Sequence, residues 1–185
     1  EDDDQFVHED GHPLEGVPNV ENLPVPEPID PEYDLMAMQS GIWDLLGEYR
    51  AKCIFSKHYA LREAVLIKIR GLLQSDSPEL PTIAKCFNEL AAIIKWGVSD
   101  KIHAVESKAV ALLEDVLRLA KDMKHPQHKH KGDNGHNHAI IHQMNPIINI
   151  LLNKMDDGNG RTRATASQGI DAFLSAEVIG PAIVA

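Results

Sequence analysis

Apolar side chains return every third or fourth residue through most of residues 33–176, the spacing that places them on one face of a helix. The clearest stretch is residues 53–69, where an apolar helix end meets the short polar turn Ser56-Lys57-His58-Tyr59 and a second apolar helix begins at once. Beyond that turn Leu61, Val65, Leu66, Ile69, Leu72 and Leu73 share a face, which predicts a helix over 59–74. Before it, Leu35, Met38, Ile42, Leu45, Leu46, Tyr49 and Cys53 predict a first helix over 33–55, opened by Asp30 as cap and Pro31 at its first position. Gly41 and Gly47 weaken that helix by about 1 kcal/mol each relative to alanine. Residues 75–79, Ser-Asp-Ser-Pro-Glu, are expected to break the chain and cap a third helix carrying Ile83, Phe87, Leu90, Ala91 and Ile94, which should stop at Trp96-Gly97. A fourth helix from Lys101 carries Ile102, Val105, Ala109, Leu112, Leu113, Val116 and Leu119. A fifth spans 139–156, with Pro146 either kinking it or, with Asn145 as cap, marking its start. A sixth runs over 161–176, with Ala164, Ile170, Phe173 and Leu174 available for packing.

These helices fall into pairs. Second helices begin near Tyr59, Lys101 and Arg161; once an insert of about fifteen residues is set aside, the spacing lies within the roughly 40–47 residues of HEAT or armadillo repeats. No single pair can bury its apolar stripe alone, so the expected fold is all-α, an α-solenoid of three HEAT-like helix pairs sharing one core, with the turn inside each pair on a common edge. The expected division is a tail or linker over 1–32 and a repeat domain over 33–185. Within the domain, repeats fall at 33–75, 79–123 and 139–176, a His-rich insert at 124–138, and the start of a further element at 177–185.

Charge alters the picture at the N-terminus. Twelve of the 28 acidic residues lie in residues 1–34, which hold no lysine or arginine; the remainder carries 16 acids against all 18 bases, a balance of +2. Six of the eleven prolines lie there too, and residues 23–28 read as extended polyproline-like chain. The expected role is a solvated acidic spacer, with a regulatory segment folding back on the basic body as the alternative. Cys53 and Cys86 fall within apolar helical stretches, not in a Cys-x-x-Cys pair, and no signal-peptide core precedes them, so free buried thiols in an intracellular, soluble protein are expected. No apolar run approaches the length of a membrane span.

No stretch fits a nucleotide-binding glycine loop, a nucleophile elbow or a His-Glu-x-x-His site, so catalytic residues and cofactors are expected to be absent. His125, His128, His130, His136, His138 and His142 hold enough imidazoles for Zn²⁺ or Ni²⁺, but no cysteine joins them and the glycine-bearing loop would be ordered at an entropic cost. An adventitious metal affinity is the expectation, and a metal-binding protein the lesser alternative. The three turns hold Ser56, Lys57, His58 and Tyr59; Ser99 and Lys101; and Asn159, Arg161 and Arg163. Cations at helix starts are mildly unfavourable against the helix dipole, a local cost that a partner's carboxylates would offset. For Arg62 or Arg163 alone, pairing with neighbouring acids is the simpler account; three such turns in a row point to a protein-binding ridge. A general helical scaffold that binds along its concave face is the rival.

Residues 56–66, Ser-Lys-His-Tyr-Ala-Leu-Arg-Glu-Ala-Val-Leu, resemble the first intra-repeat loop and second helix of TOG domains, the HEAT-repeat tubulin binders. Residues 157–166, Asp-Gly-Asn-Gly-Arg-Thr-Arg-Ala-Thr-Ala, are similar to a later loop of that family, and residues 179–182 to its link to a following repeat. The resemblance covers roughly 35–185 and implies a non-enzymatic module that grips the αβ-tubulin dimer with its intra-repeat loops, at microtubule or ciliary tips. It further implies cytoskeletal, ciliary, flagellar or centriolar localisation, other tip proteins as further partners, and neither nucleic acid nor membrane as ligand. On that likeness Tyr59 stands where the family's loop aromatic, usually Trp, stacks on tubulin, with Lys57 beside it. Lys101 and Arg161 become the cationic contacts of the second and third loops, and Ser99 and Asn159 polar ones. Tyr in place of Trp, the His-rich insert and only three repeats depart from the family pattern; Ala185 then reads as a boundary within a longer protein.

Overall fold

The computed structural model describes residues 11–120 and 134–176, with side chains from Ile140 onward in the second stretch. These residues form one 3-10 turn and seven α-helices, and no strand. The helices are α1 (Pro31–Gln39), α2 (Ile42–Phe55), α3 (Tyr59–Gln74), α4 (Ile83–Val98), α5 (His103–Ala120), α6 (Asn134–Lys154) and α7 (Gly160–Ser175). Each of α2/α3, α4/α5 and α6/α7 packs as a pair. Across pairs, α2 touches α4 and α4 touches α6, while α3 touches α5 and α5 touches α7. First helices therefore form one layer and second helices the other, the arrangement expected of stacked HEAT-like pairs. One continuous core runs from Leu46 and Ile54 through Leu66, Leu90, Ile94 and Leu113 to Leu151 and Phe173.

Two glycines let the layers close. A Cβ on Gly97 would stand 2.6 Å from the Cβ of Ala109, and one on Gly169 2.8 Å from Cδ1 of Leu151. Gly97 thus sits inside α4 as a contact point for α5. The helix does not stop at it, as the sequence had led us to expect, but runs to Val98.

The first predicted helix is two helices. Asp30 caps α1 by accepting a bond from the Glu32 N–H, with Pro31 at the first helical position. The chain then turns at Gly41, whose φ of +72° is a left-handed conformation that glycine enters without steric penalty. Gly47 repeats that φ inside α2. The break removes α1 from the α2 stripe: Leu35 and Met38, expected in the core, are each 59% exposed. Helix starts also shift elsewhere. α4 opens after Thr82 and not after the 75–79 turn, and α5 starts at His103. α6 begins at Asn134, so the last residues of the expected polar insert are helical, and it passes through Pro146 as one helix. His125, His128 and His130, and the side chains of His136 and His138, lie outside what the structure describes. Among those described, no three His, Cys, Asp or Glu side chains are placed to share a metal ion.

The expectation of a solvated spacer fails over residues 11–30. Leu14 is fully buried, Val17 and Pro26 are buried, and Val20, Leu23 and Ile29 pack partly buried on the core. Arg50 Nε donates to Pro13 O at 2.8 Å, Lys68 Nζ to Glu15 O at 3.0 Å, and the His12 and Tyr49 rings meet edge-on. This segment thus lies as a strap on the first helix pair and supplies apolar cover there. Prolines and acids mask that role in the sequence, because the buried side chains are few and without helical period. Burying Leu14 and Val17 contributes about 3–5 kcal/mol of transfer free energy.

Candidate functional site

The three turns inside the pairs are built to one plan. In each, the residue two before the helix N-cap uses its side chain to accept the N–H of that cap position. Ser56 Oγ accepts from His58 N at 3.0 Å, Asp100 Oδ1 from Ile102 N at 2.8 Å, and Asp157 Oδ1 from Asn159 N at 2.7 Å. Four residues past the cap position stand Arg62, Glu106 and Arg163. Arg62 Nη1 donates to Ser56 O (2.7 Å) and Lys57 O (3.1 Å), and Arg163 Nη1 to Asp157 O (2.7 Å) and Gly158 O (3.2 Å). The two arginines thus fasten the same two carbonyls of their own turns. Glu106 cannot donate, and at the second turn the cation comes from the neighbouring repeat: Lys154 Nζ, at the end of α6, donates to Asp100 O at 3.1 Å and pairs with buried Glu106 at 3.1 Å.

These bonds also tie the turns to one another. Arg62 Nε and Nη2 reach Asp100 Oδ2 and Oδ1 at 2.6 and 3.2 Å, a bidentate pair with both side chains largely buried. Turn one is therefore joined to turn two, and turn two through Lys154 to the start of turn three. Beneath them Phe55, Trp96 and Tyr33 form an aromatic cluster with ring centroids 5.1–6.1 Å apart, and Trp96 Nε1 donates to Ile54 O. The three turns form a connected ridge with little freedom to move singly.

Of the nine residues singled out from the sequence, all but Ser56 are exposed, Tyr59 by half, and five of them, Lys57, His58, Tyr59, Lys101 and Arg161, have no described side-chain hydrogen bond. Among the described residues no carboxylate pairs with Lys57, Lys101 or Arg161. The other four serve the turns themselves. Ser56 is buried, Ser99 Oγ donates to Lys95 O, Asn159 caps α7 through the Arg161 N–H, and Arg163 holds its turn's carbonyls. Arg62 does pair with an acid, Asp100, as the simpler account of it held.

Sequence reasoning missed the spacing shared by residues 56–62, 100–106 and 157–163, which was there to be read. It also missed the apolar members of the ridge: Ile102 at turn two and Leu152 and Met155 before turn three are each about 40% exposed, beside Tyr59 at turn one. Glu27 of the strap was not anticipated either. Its carboxylate accepts Ser56 Oγ–H at 2.8 Å and the Lys57 N–H. Burial works against its ionisation, but those bonds and the nearby His58 prevail and hold its pKa down to about 2.

The fold is that of a TOG domain: the structure is similar to the TOG domain of human Cep104, with a TM-score of 0.66 and 20% sequence identity over 85% of this chain and 57% of that one. No family model and no curated protein sequence matches the chain.

Proposed function

We propose that this chain is a non-enzymatic tubulin-binding module whose ridge of intra-repeat turns grips αβ-tubulin, serving to recruit or order subunits at microtubule or ciliary tips. One observation carries the reading: three turns that share one capping bond are cross-linked in a row while Lys57, Tyr59, Lys101 and Arg161 are exposed. Satisfying each turn's backbone internally leaves these side chains available to a partner and fixes their spacing before it arrives, so little ordering cost remains at binding. The likeness to the TOG domain of human Cep104 supports the same partner class and a cytoskeletal, ciliary or centriolar setting. Tubulin is strongly acidic, so association with a cationic ridge should be faster and tighter at low ionic strength. The apolar exposure of Tyr59, Ile102 and Met155 adds area that is released from water on contact. None of the described helices is long and apolar enough to cross a membrane.

The test is co-elution with unpolymerised tubulin. Tyr59→Ala, and separately Lys57→Glu combined with Arg161→Glu, should weaken binding about tenfold or more, as losing a central aromatic anchor or reversing two charges does elsewhere. Their thermal midpoints should stay near wild type, because none of the three side chains is buried. Unaltered binding by both variants would reject the ridge as the contact surface.

A further inference from the structure

We propose that Glu27 makes the acidic strap a working part of the ridge: it is a positioning residue that sets the first turn for its partner, and the strap braces the ridge instead of shielding it. The inference rests on the tubulin reading above and adds to it a residue outside the repeats.

Acid-rich chain lying against a cationic edge would block that edge if its carboxylates paired with the exposed cations. They do not. Glu27 reaches the ridge through the backbone N–H of Lys57 and the hydroxyl of Ser56, and leaves the Lys57 side chain exposed and outside any described ion pair. Among the other described acids of residues 11–30, Asp30 caps α1, while Glu15 and Glu21 are exposed with no described hydrogen bond to any of the turns. Tyr59, two residues past the N–H that Glu27 holds, stays half exposed.

The bonds at Glu27 complete a closed set. Ser56 Oγ donates to Glu27 and accepts from His58 N, the Ser56 and Lys57 carbonyls accept from Arg62, and the Lys57 N–H donates to Glu27. Among the described residues, the strap supplies a member of the set at turn one alone. Without Glu27 the Lys57 N–H loses its partner and Ser56 Oγ its acceptor, and Tyr59 opens α3 from a turn no longer held on its N-terminal side. Charge-assisted bonds to an anionic acceptor are roughly twice as strong as neutral ones, so a near-isosteric amide is a poor replacement. The depressed pKa keeps Glu27 ionised throughout the physiological range.

The experiment uses the full chain with Glu27→Gln, Tyr59→Ala and the double variant, in two arms. In the free protein, amide hydrogen exchange at residues 57–59 should speed up in Glu27→Gln about tenfold, while amides of α5 and α7 keep their protection and the thermal midpoint stays within a few degrees. In the tubulin arm, Glu27→Gln should weaken binding about fivefold to tenfold, and the double variant should be no weaker than Tyr59→Ala, because both substitutions act through one turn. A residue with only a structural role would lower α5 protection too and would add to Tyr59→Ala. Unchanged exchange at 57–59, or binding by Glu27→Gln as tight as wild type or tighter, overturns the proposal, the latter making the strap a shield. If wild type itself fails to bind tubulin, the tubulin reading falls with the affinity claim, and the exchange arm alone still decides whether Glu27 orders the turn.

Discussion

Arg62 shows how much one side chain does at this edge: it holds two carbonyls of turn one and both carboxylate oxygens of Asp100 in turn two. Removing one member of a buried, hydrogen-bonded pair leaves an uncompensated charge, so Arg62→Ala should destabilise the fold by about 3–5 kcal/mol in urea unfolding. Lys101→Ala, whose side chain has no described partner, should move it by under about 0.5 kcal/mol. Similar losses for both would contradict the assignment of Arg62 to structure and Lys101 to the surface. The thiols allow a second check. Burial first, and then the charge of Glu27, pushes Cys53 up to about 12, while burial and Glu89 push Cys86 up to about 11. Neither should react with a disulfide reagent at pH 8 in the folded protein, and both should react once guanidinium unfolds it. For Glu27 the sign of the pH effect follows from a pKa of about 2 in the fold against an ordinary 4.5. Its contribution is complete above 4.5 and drains away as pH falls through about 2. Acid unfolding curves should therefore be shallower between those limits for Glu27→Gln than for wild type.

Among the elements, the strongly periodic helices were legible from residue spacing, and their buried faces follow it: Leu61, Val65, Leu66 and Ile69 in α3, Phe87, Leu90 and Ile94 in α4, Val105, Leu112, Leu113 and Val116 in α5. The region of residues 33–55 was not. Its apolar residues satisfy a helical stripe on paper, yet two left-handed glycines divide the backbone and turn Leu35 and Met38 outward. Periodicity records which side chains favour burial, not whether the backbone between them is continuous. The strap was illegible for the opposite reason, its burial resting on isolated residues such as Leu14 and Pro26 with no repeat to detect. At the candidate site, the outward residues Lys57, Tyr59, Lys101 and Arg161 could be singled out by type and place. The roles of Ser56, Asn159 and Arg163 within the turns required geometry. The two close-approach glycines make a prediction at this level. Gly97→Ala meets the Cβ of Ala109, which cannot rotate away, and should cost about 1–3 kcal/mol; Gly169→Ala meets the mobile end of Leu151 and should cost less. Equal losses would mean that the two helix pairs yield alike.

For the whole molecule, the described parts form a graded design. A strap packs on the first pair, a core runs through all three, and the turns along one edge are cross-linked by Arg62–Asp100 and by Lys154. Stacked repeats contact only their neighbours, so such cross-links are what keep a row of short turns in register over the length of the solenoid. Pre-set spacing is what an extended partner surface rewards, and at this edge Arg62–Asp100 and Lys154–Glu106 supply it. The central claim is that this edge binds tubulin. Size-exclusion chromatography of the chain with unpolymerised αβ-tubulin, at low and at physiological salt, tests it most directly. The account predicts one co-eluting complex at low salt whose population falls as salt rises; separate elution of the two proteins at both salt concentrations would contradict it.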